Sequence, residues 1–218
     1  MNYSGALENF GQFQTEVFLP AVDIKNASDH ELIEAVKGGE EAAFDEVVKR
    51  YRQPITNYIF RILNDYEEAV DLSQETFVRV YFAIERYHTE YAFSTYIYRI
   101  ATNLAISEIR KRKRRKLFSL TGLFQADDND KEFDIPDEKN LQDVDLIEFE
   151  RKAAISGAIA ALPENYRVPI VLRDIEERSY DQVAEILGLS LGTTKSRISR
   201  GRAMLREKLK TRFEFENE

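Results

Sequence analysis

Two helical periods meeting at a glycine are written into Ser179 to Leu209, SYDQVAEILGLSLGTTKSRISRGRAMLREKL, and few folds accommodate them. Ser179 and Gln182 have the spacing of a capping box, which predicts a helix starting there and running through Val183, Ile186 and Leu187. Gly188 ends that helix, because glycine takes the left-handed conformation a helix stop requires. A second helix is expected to open near Gly192 and Thr193, with Thr194, Ile198, Gly201 and Leu205 on the side that faces the first. At about 100° per residue Ser196, Ser199 and Arg200 point away from that stripe, with Lys195 and Arg197 on its flanks. A polar, basic helix presented across a short interhelical turn has the shape of a helix-turn-helix that enters a major groove. A surface hairpin whose cations are merely solvated is the competing reading. Against it stands the crowding of Lys195, Arg197, Arg200, Arg202, Arg206, Lys208, Lys210 and Arg212, opposed only by Glu207, since merely soluble helices mix their charge signs.

The net charge of −8 over 218 residues argues against a chain that coats nucleic acid indiscriminately. Its charges, however, are segregated. Arg110 to Lys116 is an unbroken cationic run, and Asp127 to Glu150 is acidic with only Lys131 and Lys139 as cations. Such a chain can hold phosphate at two places while its middle repels it. Cysteine is absent and His30 and His88 are the only histidines, so a disulfide framework, a thiolate metal site and a cysteine nucleophile are excluded. No phosphate-cradling glycine loop and no convincing acid-base pair is present, and we expect no catalytic residue, metal or cofactor. No apolar run approaches the length of a membrane span, and the N-terminus lacks the pattern of an export signal, so a cytoplasmic protein without direct membrane insertion is expected.

The remaining apolar periodicity is helical throughout, which predicts an all-α chain. Residues 1–27 carry scattered aromatics without a period and read as an N-terminal arm of unknown role. Ser28 and Glu31 form another capping box, opening a helix that Gly38 and Gly39 end. Phe44, Val47, Val48 and Tyr51 stripe the next helix, and Pro54 is expected to start a further one bearing Ile55, Ile59, Ile62 and Leu63. Asp65 and Glu68 cap the helix after that. From Phe93 a long amphipathic helix, with Tyr96, Ile97, Ile100, Ala101 and Leu104 on one side, runs into the cationic block. Its flank carries Arg99, Asn103, Ile106 and Arg110, which also read as ordinary surface groups complementing a helix end. Residues 117–150, acidic and broken by Gly122 and Pro136, read as a flexible linker. Beyond the linker, Leu162 and Pro163 mark a helix boundary. Two small helical domains, 28–116 and 151–218, thus flank an acidic linker, the C-terminal one a helix-turn-helix.

Two long segments then resemble bacterial RNA polymerase sigma factors of the extracytoplasmic-function group, within the sigma-70 family. The first is Ala69-Val70-Asp71-Leu72-Ser73-Gln74-Glu75-Thr76-Phe77, where only Val70 departs from the family pattern by replacing an acid. It is followed by Ala92-Phe93-Ser94-Thr95-Tyr96-Ile97-Tyr98-Arg99-Ile100-Ala101-Thr102-Asn103, similar to the family's promoter-melting helix with Tyr96 for the usual Trp. In the C-terminal domain Leu162-Pro163-Glu164, Val171-Leu172-Arg173 and Gly192-Thr193-Thr194-Lys195-Ser196-Arg197 match. Further departures are Arg178, where the family often has Leu, Ser107, where Asp is common, and the long arm before Ser28.

The resemblance implies a promoter-specificity subunit with no chemistry of its own, whose partners are core RNA polymerase, promoter DNA and an anti-sigma factor. Residues 28–116 correspond to sigma region 2 and residues 151–218 to sigma region 4. By the same resemblance Asp71, Gln74 and Glu75 meet the polymerase. Tyr87, Arg99, Ile100 and Asn103 lie where the family reads and unpairs the minus-ten element, with Arg110 and Arg112 on phosphate. An unstacked base needs an apolar or aromatic surface and an amide to test its edge, which these side chains supply. Lys195, Ser196, Arg197 and Arg200 would read the minus-thirty-five element, with Arg202 and Arg206 nearer phosphate. The alternative is an autonomous helix-turn-helix regulator, which leaves the first domain unexplained.

Overall fold

The computed structural model describes residues 23–87, 92–120 and 143–215. Every regular element among them is helical: α1 (Asp29–Lys37), α2 (Glu41–Leu63), α3 (Tyr66–Ala83) with a 3₁₀ turn at Ile84–Arg86, α4 (Phe93–Leu120), α5 (Asp143–Ala160), α6 (Glu164–Ile170) continued by a π-helical turn at Val171–Ile175, α7 (Tyr180–Leu187) and α8 (Leu191–Phe215).

The helix boundaries reflect local chemistry. Ser28 and Glu31 exchange the two bonds of a capping box, and Ser179 and Gln182 do the same for α7; each Ser cap is worth about 1 kcal/mol relative to Ala. Asp65 accepts from the Glu68 backbone N–H at 3.2 Å. Gly188 stops α7 at φ 62°. Helix α8 begins at Leu191, slightly ahead of Gly192, because Ser190 Oγ accepts from the Thr193 N–H and sets the first turn one position earlier.

Pro54 corrects one expectation, since it lies inside α2 rather than starting a new helix. Proline removes one backbone bond and crowds the carbonyl of Arg50, yet Val47, Ile55, Ile59 and Ile62 are fully buried on both sides of it. Burying each such side chain contributes about 1.5–3 kcal/mol, so packing against α3 and α4 outweighs the local defect. The expected linker is also shorter at both ends. Helix α4 continues through Leu120 and α5 already starts at Asp143; acids are tolerated in the opening turns of a helix, where the macrodipole favours negative charge. The interior of that segment and residues 1–22 lie outside the described residues. Of the arm, residues 23–27 form a turn pinned by Arg50, whose guanidinium donates to the carbonyls of Ile24, Lys25 and Ala27 at 3.3, 3.1 and 2.7 Å.

Around α2 the core of the first domain closes through α1, α3 and α4. The rings of Tyr58 and Tyr98 meet at 5.0 Å with their planes tilted by 56°, and the Tyr58 hydroxyl shares a 2.6 Å bond with Thr102. In the second domain Thr194 and Ile198 of α8 are buried against α6 and α7. Gly201 lets α8 approach α6 closely, since a Cβ there would stand 2.7 Å from Ile170 Cγ1. The two domains also touch. Arg167 of α6 donates to its own domain's Leu162 and Ala160 carbonyls and, at 2.5 Å, to Ile62 in α2. Burial lowers the pKa of that guanidinium.

Candidate nucleic-acid interface

Helix α8 places its candidate reading residues on an open face. Packing of Thr194, Ile198 and Gly201 inward leaves Lys195, Ser196, Ser199, Arg200 and Arg202 exposed and Arg197 half-buried. Arg197 and Arg200 form no ion pair with any described residue, so their guanidinium forks are available to base edges or phosphate. Ser196 is engaged locally, its hydroxyl donating to the Thr193 carbonyl at 2.9 Å. Arg202 is held by both carboxylate oxygens of Asp174, at 3.0 and 2.5 Å, which raises its pKa further above the usual arginine value.

Tyr180 is a feature that the period of the chain did not single out. Its ring lies under the Arg173 guanidinium at 4.9 Å and near Lys195 Nζ at 6.0 Å. With Ser199, Arg202 and Arg206 it lines a concavity of about 400 Å³, a basic notch beside the reading face. The available signal was its place directly after the capping Ser179.

On α4 the inward face is Phe93, Ile97, Tyr98, Ala101, Leu104 and Ala105, which leaves Arg99 and Asn103 exposed and Ile100 half-buried. Arg99 lies within electrostatic reach of Glu185 on α7, whose carboxyl is raised chiefly by burial. Tyr87 differs from an open stacking platform. Its side chain is 6% exposed, edge-on to Phe93 at 5.8 Å and tilted against Tyr96 at 5.0 Å; burial raises both phenols. Arg99, Ile100 and Asn103 thus share the outer side of α4, whereas Tyr87 packs against Phe93 and Tyr96 in the turn before them.

The cationic block divides similarly. Arg110 is exposed, whereas Arg112 is drawn onto Glu108, Asp65 and Glu68 at 3.3, 3.1 and 3.5 Å. Three carboxylates around one guanidinium tie α4 to the start of α3, so Arg112 joins elements as well as carrying charge.

Helix α3 presents the acidic face. Inward packing of Leu72, Ser73, Thr76, Phe77 and Val80 turns Asp71, Gln74 and Val78 to solvent. Glu75 pairs with Arg79 at 2.5 Å, and Phe82 is 81% exposed at the far end of the same face. Among the described residues no group of three or more His, Cys, Asp or Glu could hold a metal ion, and no helix is long and apolar enough to cross a membrane.

Residues 47–115 match the family model for Sigma-70 region 2, and residues 152–205 match that for Sigma-70 region 4. The chain is 36% identical over 183 residues to the ECF RNA polymerase sigma factor SigW of Bacillus subtilis, covering 82% of this chain and 95% of that protein. It is 35% identical over 179 residues to the RNA polymerase sigma-H factor of Pseudomonas aeruginosa, with 80% and 90% covered. In fold it is similar to the sigma factor RpoE of Bartonella quintana, solved with the anti-sigma factor NepR, at a TM-score of 0.59 and 23% identity over 77% of this chain and 96% of that one. It is equally similar to CnrH, solved with the cytosolic domain of CnrY, at a TM-score of 0.59 and 22% identity over 84% and 97% of the two chains.

Proposed function

Because the chain belongs to the extracytoplasmic-function sigma factors of the sigma-70 family, we propose how its exposed faces divide the work of promoter-specific initiation. The protein binds core RNA polymerase and directs it to promoters by recognising a minus-thirty-five and a minus-ten element and assisting duplex opening. It contributes specificity and the polymerase performs the chemistry.

Residues 28–116 act as the region 2 domain and 151–218 as the region 4 domain. The acidic face of α3, with Asp71, Gln74 and Glu75, docks on polymerase. Lys195, Ser196, Arg197 and Arg200 read the major groove of the minus-thirty-five element, with Arg202 and Arg206 toward phosphate. Arg99, Ile100 and Asn103 receive the unpaired strand of the minus-ten element, with Tyr87 bracing Tyr96 one turn before Ile100, and Arg110 and Arg112 hold its phosphates. The protein works in the cytoplasm, where the polymerase is. An anti-sigma factor is its regulator, by analogy with the Bartonella quintana sigma factor solved with NepR.

The observation that carries this reading is the pairing of two opposed electrostatic faces on two separately matched domains: the solvent-facing carboxylates of α3 and, on α8, the Arg197 and Arg200 guanidinium groups, which pair with no described residue. In vitro transcription with bacterial core polymerase on a library of upstream regions tests it. Starts that appear only when this chain is added, and share two upstream elements, are expected. Site-specific duplex binding and regulation without any requirement for the chain in initiation would instead identify an autonomous regulator.

A further inference from the structure

The turn between the π-helical segment and α7 carries two residues that promoter reading leaves unused, Glu176 and Arg178. Both reach across to the first domain. The Glu176 carboxylate accepts from the Arg61 guanidinium of α2 at 3.0 Å and from the Tyr98 hydroxyl of α4 at 2.6 Å. Arg178 donates to Ser94 Oγ at 3.2 Å and lies over the Tyr98 ring at 4.3 Å. Between them Glu177 adopts φ 54°, in the left-handed region, a conformation that a non-glycine residue keeps only where its neighbours over-determine it. Lys113 and Glu164, 2.7 Å apart, and the Arg167 bond to Ile62 fasten the same seam at other points.

Closure sets a length that promoter reading does not allow. Helix α7 packs directly on α4, and α8 packs on α7. Packed helices lie about 8–10 Å apart, so the reading helix is on the order of 20 Å from the strand-receiving one. Elements named for positions about 25 base pairs apart are separated by roughly 85 Å along a duplex at about 3.4 Å per base pair. The closed chain therefore cannot engage both. Arg178 is also the position where the family often carries Leu, so the bonds it makes to Ser94 and Tyr98 come from a departure in this chain. Its buried Nε finds no partner among the described residues, and opening the seam returns that N–H to water.

We propose that the Glu176–Arg178 turn is an intramolecular latch that holds the free chain closed, with its two DNA-reading faces too near each other to span a promoter. The latch rests on the sigma-factor function proposed for the chain. None of its bonds involves α3, so the polymerase-facing surface stays open while the chain is latched, and docking on polymerase precedes separation of the domains.

Small-angle scattering of full-length parent, Arg178→Leu and Glu176→Gln proteins, with gel shifts of each on a promoter duplex at fixed salt, tests this. The parent is expected to scatter as a closed particle. Both variants should show a larger radius of gyration and bind the duplex about tenfold more tightly, if nine parent chains in ten are closed. Circular dichroism melting checks that the variants fold; the half-exposed Arg61→Gln, which removes one latch bond without touching the core, gives a third reading should either fail. A parent already scattering as separated domains, or folded variants whose size and duplex binding match the parent, overturns the latch. Transcription by the parent with core polymerase is run alongside. Activity with unchanged scattering refutes the latch alone, whereas expansion of the variants without any transcription refutes the sigma reading alone.

Discussion

Gly201 shows how much one hydrogen atom decides. It sits on α8 where a Cβ would stand 2.7 Å from Ile170 Cγ1 and 3.3 Å from the Tyr166 carbonyl oxygen. Neither neighbour is the free end of a flexible chain, so Gly201→Ala should destabilise the second domain by about 1–3 kcal/mol despite alanine's better helix propensity. Chemical denaturation measures it, and an unchanged or raised midpoint contradicts the close approach. The proposed division of work gives Arg197 and Asn103 separate roles. Arg197→Ala should cost roughly 1–3 kcal/mol and relax preference at one upstream base pair if its fork is bidentate to guanine. Asn103→Ala should spare that preference, reduce opening of linear duplex, and recover on templates already mismatched at the downstream element. Permanganate footprinting on duplex and premelted templates reads both. Equal rescue of Arg197→Ala by premelting would break the assignment.

In the proposed docking on polymerase, helix α3 acts as an element rather than through single contacts. Its buried side, Leu72, Thr76, Phe77 and Val80, locks the helix so that Asp71, Gln74 and Glu75 share one outward face. Asp71→Lys with Glu75→Lys should therefore weaken assembly with core polymerase while helicity and the DNA contacts of α8 persist. Like charges placed on an interface cost up to several kcal/mol, by order of magnitude. Fluorescence titration of labelled protein against core decides this, and unchanged affinity would make the acidic face a solvated surface. Helix α2 teaches a different lesson. Pro54 has every local mark of a helix start, but the apolar stripe on both sides of it is continuous in space, and burial of Ile55, Ile59 and Ile62 carried the helix through.

The molecule as a whole depends on phenols kept dry. Tyr58 and Tyr98 are raised above the usual tyrosine pKa by burial foremost, and Tyr51 by burial together with its bond to Asp29. Each folded value lies above the unfolded value of about 10. The stabilisation is therefore fully present below pH about 10, declines once the unfolded phenols ionise above it, and is gone when pH has risen through the folded values. Denaturant midpoints measured from pH 8 to 11 should be level at first and then fall. Tyr58→Phe, lower at neutral pH for want of its Thr102 bond, should fall less steeply. Parallel slopes for the two proteins would show that ionisation of Tyr58 is not linked to unfolding.

Most helix starts and stops, though not the one expected at Pro54, the all-α class and the exposed basic face of α8 were legible from residues in order. Each rests on bonds within four positions along the chain or on a period of 3.6, as at Ser28, Ser179, Gly188 and the stripe Thr194, Ile198, Gly201. What the tertiary structure alone decided are the pairings between residues far apart. Tyr87 is buried beneath Phe93 and Tyr96, Arg112 belongs to the carboxylates of α3 as much as to a phosphate-holding block, and Arg202 is committed to Asp174. The seam between the domains is of the same kind: Glu176 meets Arg61 across 115 residues and Tyr98 across 78. No local period encodes such a meeting, because which charge finds which partner depends on how helices stack once their apolar faces are buried.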